Sequence, residues 1–173
     1  MSNRHLLLAV CWAWSLASPP MNLRPAGRDD LPEICALIRE LAAFERLAEQ
    51  VAFNSDLVAE HLFGPAAVAH VLLAEVDEGV AGMALWFPTF STFLGRPGIW
   101  LEDLFVRPAF RGRGIGRALM VRLRSMTEGR VEWSVLDWNQ SAIELYQNLG
   151  ARPIEGWTTY RWSPESDWPS TPT

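Results

Sequence analysis

The heptapeptide Arg111-Gly112-Arg113-Gly114-Ile115-Gly116-Arg117 places three glycines at alternate positions among three arginines. It lies between the apolar run IWLEDLFV (99–106) and RALMVRLRSM (117–126), in which Leu119, Leu123 and Met126 share one helical face. This predicts a strand, a tight turn and a helix. The first N–H groups of a helix lack intrahelical partners, and the macrodipole adds positive potential there, so the unit can hold an anion. Two familiar phosphate loops are excluded. A G-x-G-x-x-G fingerprint begun at Gly112 meets Arg117 where glycine is needed, and a P-loop needs a lysine, which the chain lacks. By itself the glycine pattern is equally a tight connection in a core strand–helix unit.

The surrounding elements define a mixed α/β domain, with one layer of sheet and helices on its faces. MNLRPAGRDD opens with a strand. Asp30, Pro32 and Glu33 predict a capped helix start, and Ile34, Leu37, Ile38 and Leu41 carry that helix to Phe44. SDLVAEHLF (55–63) is a second amphipathic helix. AVAHVLLAEV and VAGMALWFP are strands joined by a hairpin at Asp77-Glu78-Gly79. After the glycine loop and its helix come a strand at 131–136, a helix capped by Asn139 and ended by Gly150, and a last strand.

Of the 173 residues, 49% are hydrophobic and 20% charged, ordinary values for a globular chain. A net charge of -5 argues against a general nucleic-acid binder. Charge is nevertheless uneven: Leu104 to Thr127 holds six arginines and no acid, while acids crowd 29–60 and 128–155. Cys11 and Cys35 have no metal or disulfide spacing, and His5, His61 and His70 are scattered, so no metal is expected. Trp86 and Trp100 are placed in the core by their strands. Residues 1–20 combine Arg4, an apolar run from Leu6 to Leu16 and small residues at Ser15 and Ala17. They read either as a signal-like segment or as an over-long start, with the domain beginning at Met21. The expected organisation is a doubtful extension (1–20), one domain (21–163) and a flexible tail (164–173). No membrane span is expected.

Arg111-x-x-Gly114-x-Gly116 matches the R/Q-x-x-G-x-G/A loop of the GNAT acyltransferase superfamily. LEDLFVRPAFRGRGIG, VLDWNQSAIELYQNLGA and EGW together resemble its diamine (spermidine/spermine) and thialysine N-acetyltransferase branch. The resemblance implies a GNAT-like acyl-CoA acyltransferase fold: a mixed, mostly antiparallel sheet with helices on both faces and a splayed strand pair, 99–106 and 131–136. It implies acetyl-CoA as co-substrate, a cytoplasmic location and a homodimer. The pyrophosphate is then expected on Arg111, Gly112, Arg113, Gly114, Ile115, Gly116 and Arg117. The pantetheine arm is expected beside the backbone of Leu104, Phe105 and Val106, with Asn139 also touching the cofactor. Relative to that branch, the helix after Gly116 is about one turn shorter.

For acetyl transfer to an amine, a base must deprotonate the ammonium and an acid must protonate the leaving thiolate. Glu102 matches the family glutamate at the amine and is the expected base; Asp103 supports it, from the opposite face if the strand alternates regularly. Tyr146 matches the family tyrosine that protonates the departing sulfur. Phe44, Glu45, Glu132, Trp133 and Glu155 complete the expected amine site, since carboxylates and aromatic rings suit a cation. Phe44 lacks the hydroxyl of the family's tyrosine. The implied function is N-acetylation of a small primary amine, such as a polyamine, a diamine or a lysine-like amino acid. Alternatives are another acceptor, such as a protein N-terminus or an antibiotic amine, or a module that binds acyl-CoA without turnover.

Overall fold

The structure, a computed structural model, describes residues 21–162. The N-terminal extension and the tail expected from the sequence lie outside the described residues. The chain divides after Ser134 into two compact units.

The first unit contains a five-stranded sheet in the order β1-β2-β3-β4-β5. Its strands are β1 (Asn22–Pro25), β2 (His70–Val76), β3 (Gly79–Ser91), β4 (Arg96–Val106) and β5 (Val131–Trp133). The first four pair antiparallel, and β5 lies parallel to β4. Paired residues share a face and successive ones alternate. On one face Val71, Leu73, Met83 and Phe105 pack against Ile34, Leu37 and Leu41 of helix α1 (Leu31–Phe44) and Leu62 of helix α2 (Ser55–Phe63). Helix α3 (Ile115–Ser125) contacts β2, β3 and β4 and buries Ile115, Leu119, Met120 and Leu123. The expected sheet with helices on both faces is therefore present.

The start of α1 differs from the expected cap. Asp30 makes no side-chain cap; its carboxylate instead takes two bonds from Arg24 of β1, at 2.6 and 2.8 Å, and one from Gly27 N at 2.7 Å. Arg24 also reaches Glu75 of β2 at 2.8 Å. The guanidinium holds the Asp30 carboxyl down at about 2. A charged, bidentate donor outcompetes the neutral backbone N–H that a cap would use. At its other end α1 closes with Leu47 N donating to Ala42 O and Arg46 N to Ala43 O, the Schellman pattern. Arg46 stands at the left-handed position with φ 62, where glycine is usual. The chain thus turns sharply just after Phe44 and Glu45.

β5 is three residues long, against the six expected. Its ladder matches Ile99, Trp100 and Leu101 of β4 with Val131, Glu132 and Trp133, then stops. It stops at a β-bulge: Asp103 pairs with Leu85 and Leu101 with Trp86, leaving Glu102 as the extra residue. Bulges bend a strand and interrupt its ladder. Beyond Leu101 no strand among the described residues pairs with the outer edge of β4.

Between α3 and β5 the chain returns through Thr127–Arg130. Thr127 Oγ1 donates to Pro97 O at 2.8 Å, and Ile99 N donates to Arg130 O at 2.8 Å. A Cβ at Gly129 would collide with the carbonyl of Pro97. The backbones approach this closely only because Gly129 has no side chain.

The second unit, from Val135, holds helix α4 (Gln140–Asn148). Asn139 caps it as expected, its Oδ1 accepting from Ala142 N at 3.3 Å. Gly150, at φ 85, ends it: Gly150 N donates to Gln147 O and Ala151 N to Tyr146 O. The expected last strand is absent from residues 151–162. There Ile154, Trp157, Tyr160 and Trp162 are exposed, and strand residues need a ladder partner to be stable.

Gly129→Ala is expected to destabilise the protein by about 1–3 kcal/mol, the usual cost of forcing extra atoms into a packed contact. Urea unfolding followed by circular dichroism measures it.

Candidate active site

The bulge at Glu102 also changes which way the acids face. Regular alternation predicts that Glu102 and Asp103 diverge, and this expectation is corrected by the structure. Trp100 pairs with Phe87 and Asp103 with Leu85, so both lie on the α1 face. Trp100 Nε1 donates to Glu102 Oε2 at 2.8 Å, drawing Glu102 to that side. Glu132 pairs with Trp100 and joins the same face, 3.4 Å from Arg130 Nε. Trp133 pairs with Leu101 and therefore takes the opposite face, away from the acids.

Asp103 is the electrostatically unusual member of this group. Its carboxyl is pushed up to about 6, first by burial and then by the charges of Glu102 and Glu45. Burial also raises Glu45, the residue at the C-cap of α1. The first unit thus gathers Glu45, Glu102 and Asp103 into an acidic patch, with Glu132 on the same face and paired to Arg130. Such a patch favours a cation, because a bound positive charge relieves both the mutual repulsion and part of the cost of burial.

Further along β4 the backbone takes over. Arg107 N donates to Ala81 O at 2.9 Å, so Arg107 and, by antiparallel alternation, Phe105 direct their backbone groups toward β3. Leu104 and Val106 direct theirs to the unpaired outer edge. Of the three expected backbone positions, the ladder commits Phe105 to β3 and leaves Leu104 and the Val106 N–H available. Val106 O accepts from Arg111 Nε at 2.9 Å.

At the end of this edge lies the glycine loop. Gly112 and Gly114 have φ of 77 and 79, and a Cβ at either would meet nothing within 4 Å. Positive φ, rather than crowding, is what calls for glycine here. Ala118 N makes the first bond of α3, to Gly114 O, so the N–H groups of Ile115, Gly116 and Arg117 precede the helical ladder. No acid occupies the first turn. The Arg111 guanidinium stacks 4.4 Å from the Phe44 ring centroid and 5.8 Å from that of Phe105. It is held against its own strand, which leaves the backbone as the main means of gripping an anion. Arg113 stacks on Phe110 and reaches Glu78 Oε1 at 3.0 Å. Arg117 is exposed at the third position of α3.

Asn139, Tyr146 and Glu155 belong to the second unit. Tyr146 is a buried residue of α4, Asn139 Oδ1 also accepts from Ser141 Oγ at 3.1 Å, and Glu155 is exposed at a turn. Among the described residues no group of three or more His, Cys, Asp or Glu could hold a metal ion, and no helix is long and apolar enough to cross a membrane.

Sequence reasoning missed Trp100 as part of this site. It is half-buried rather than a core residue, and its indole orients Glu102. The i, i+2 spacing of Trp100 and Glu102 was the available signal. Trp86 is also only half-buried, its ring 4.6 Å from that of His70.

The Acetyltransferase (GNAT) family profile matches residues 35–151. The chain belongs to the GNAT family. It is 35% identical over 159 residues to thialysine N-epsilon-acetyltransferase of Sus scrofa, covering 83% of this chain and 93% of the relative. It is 28% identical over 189 residues to an L-ornithine N5-acetyltransferase of Arabidopsis thaliana, covering 81% and 83%. Among solved structures, an integron cassette protein of V. cholerae superposes with a TM-score of 0.70 at 22% identity, covering 84% of this chain and 93% of that one. The expected family, branch and fold are therefore found, and this GNAT protein is an N-acetyltransferase.

Asp103 also has a consequence for stability. Its ordinary value is 3.8 and its folded value about 6. Between these pH values the folded chain binds more protons than the unfolded one, so stability falls as pH rises through the window. The difference is worth about 3 kcal/mol at most, at roughly 1.4 kcal/mol per pH unit. Asp103→Asn is expected to raise unfolding stability by about 1–3 kcal/mol at pH 8 and by little at pH 4. Urea titrations at the two pH values measure it.

Proposed function

We propose that this N-acetyltransferase uses acetyl-CoA to acetylate a primary amine of a small cationic acceptor: a polyamine, a diamine or a lysine-like amino acid. The observation that carries the reading is the layout of β4, with acids at Glu102 and Asp103, an unpaired edge at Leu104 and Val106, and the glycine loop beyond. From Glu102 to Val106 the strand spans roughly 13 Å at about 3.3 Å per residue. A molecule that serves both ends is elongated, anionic at one end and reactive at the other. Acetyl-CoA has this form, and when bound it supplies the thioester acetyl group.

The chain's own groups then divide the work. N–H groups of residues 112–117 face the pyrophosphate, while the outward backbone of Leu104 and Val106 lies along the pantetheine arm. The Leu104 N–H polarises the thioester carbonyl, an oxyanion-type role. Glu45, Asp103 and Glu132 attract the ammonium. Glu102, oriented by Trp100, accepts its proton so that a neutral amine can attack. Tyr146 donates a proton to the departing sulfur, and Asn139 contacts the cofactor, both by likeness to the family. The thialysine and ornithine specificities of the relatives favour an acceptor with a terminal amine on an aliphatic chain. The enzyme is proposed to be cytoplasmic and homodimeric, as the resemblance implies.

The test is release of free CoA from acetyl-CoA with putrescine, spermidine, thialysine, lysine or no amine, the products being confirmed by mass. The chain has no lysine, so acetylation of its own lysine side chains cannot obscure the result. Release is expected only with amine. Tyr146→Phe and Glu102→Gln are each expected to lower kcat about 100-fold or more while CoA still binds. Wild-type protein that binds CoA but releases none with any of these amines would refute the proposed acceptor class.

A second outcome concerns pH. Below about 6 a protonated Asp103 cannot pair with an ammonium. The KM for amine is expected to fall as pH rises from 5 to 7.5, and Asp103→Asn to flatten that dependence. Initial rates against amine concentration across the range measure both.

A further inference from the structure

Arg107 stands at the junction where β4 ends and the chain enters the short turn at Pro108–Phe110 that leads to the glycine loop. It is the most heavily bonded side chain of this region. Its Nε donates to Glu40 Oε2 at 3.0 Å and Oε1 at 3.2 Å, and its Nη2 to Glu40 Oε1 at 2.8 Å. Its Nη1 reaches Glu33 Oε1 at 2.6 Å and Val80 O at 2.8 Å. The backbone N of the same residue donates to Ala81 O at 2.9 Å. One residue thus joins β4 to two acids two helical turns apart on α1 and to two consecutive residues of β3.

Three features give this knot a purpose beyond general stability. The Arg107 side chain is only 23% exposed, so its pairs are partly shielded from water and less screened than surface pairs. Its planar fork fixes direction as well as distance, which a lysine would not do. It is also the last residue of chain held to the sheet before the loop. From Arg107, Phe110 N returns to Arg107 O and Arg111 N to Pro108 O, so the turn that aims the loop is built directly on this residue. Nothing else in the loop is tied as firmly. The Arg111 side chain holds Val106 O, and Arg113 is tied mainly to Glu78, itself half exposed.

We propose that Arg107 is a positioning residue: by locking the end of β4 to α1 and β3, it presets the loop at 111–117 to receive the cofactor pyrophosphate. Its side chain is spent on Glu33, Glu40 and Val80, so it acts through the loop backbone without touching the cofactor. The consequence is specific to one step. Losing the knot lets the loop sample other orientations, and cofactor binding must then order it, which weakens affinity. The chemical step at the acid end of β4 is largely spared once the cofactor is bound. This inference rests on the cofactor reading above.

The experiment compares wild type with Arg107→Met, Arg107→Lys and, as a core truncation that also lowers stability, Val71→Ala in β2. Two quantities are read well below the melting temperature: amide hydrogen exchange across 111–118, and the CoA dissociation constant by calorimetry. In Arg107→Met the loop amides are expected to exchange about tenfold faster and CoA to bind about tenfold more weakly, because binding must then order the loop. The KM for acetyl-CoA should rise in step, with kcat at saturation changed less than about twofold. Arg107→Lys should restore part of both effects, and Val71→Ala should leave both near wild type. If Arg107→Met fails to fold, Glu40→Gln, which disturbs the acid making three of the bonds, replaces it with the same expectations. Unchanged loop exchange in the Arg107 or Glu40 variant, or an equal change in Val71→Ala, overturns the proposal. Wild-type protein that binds no CoA refutes the cofactor reading, while the exchange comparison still decides whether Arg107 orders the loop.

Discussion

The extra residue at Glu102 is the constraint on which the site depends. A sheet with one face on α1 and α2 and the other on α3 has no reason to open unless a ladder is interrupted, because unpaired backbone groups are costly when they lose water. The bulge interrupts it in the middle of β4. On the near side Ile99–Leu101 keep β5 in register, and on the far side Leu104 and Val106 turn their polar groups outward. The same residue reverses the alternation and sets Trp100, Glu102 and Asp103 on one face. One insertion therefore makes both an edge and an acidic cluster, and neither could be changed without affecting the other.

The loop beyond the edge is fixed by a different kind of force. Hydrophobic burial anchors α3 through Ile115, Leu119, Met120 and Leu123, but burial is non-directional and does not aim a turn. Direction comes from charge-assisted bonds: Arg107 to Glu33 and Glu40, and Arg111 to Val106 O with its guanidinium laid on Phe44 and Phe105. Phe44 has no hydroxyl to offer a substrate, and its ring serves as a platform for Arg111. Through that ring the end of α1, where Glu45 sits among the acids, is tied to the entry of the glycine loop.

How much of this was legible beforehand follows from the physics of each feature. The strand, loop and helix around Gly112, Gly114 and Gly116 could be read because left-handed turns and helix starts impose residue types locally. Asn139 and Gly150 bounded α4 for the same reason. The bulge could not be read, because it depends on register against β3, a non-local property that no residue type announces. The face taken by Asp103 and the early end of the β5 ladder both lie at that bulge, whereas Trp133 turns from Glu132 by ordinary alternation within β5. The cap expected at Asp30 failed similarly: Arg24, six residues earlier, took its carboxylate, and Glu75 on β2 shares that arginine. The last strand was expected from the order of elements, with no partner specified, and residues 151–162 form none.

The placement of charge is compatible with the proposed anionic cofactor even though the chain has a net charge of -5. Long-range attraction is not available to it, since the overall field opposes an anion and salt screens beyond about 10 Å. The arginines from 107 to 124 create a local exception, yet two of the nearest, Arg107 and Arg111, are engaged with acids, carbonyls and rings rather than left free. Their charge is used to hold backbone N–H groups in place. Preset dipoles of this kind need little reorganisation when an anion arrives, whereas a flexible arginine must give up rotamer freedom to pair. The acid patch follows the same principle with the sign reversed. Asp103 is kept costly by burial and by Glu45 and Glu102, and above about pH 6 a cation in that place lowers the cost. In the proposed reaction both substrates are thus selected by local, prearranged charge at the two ends of one strand edge.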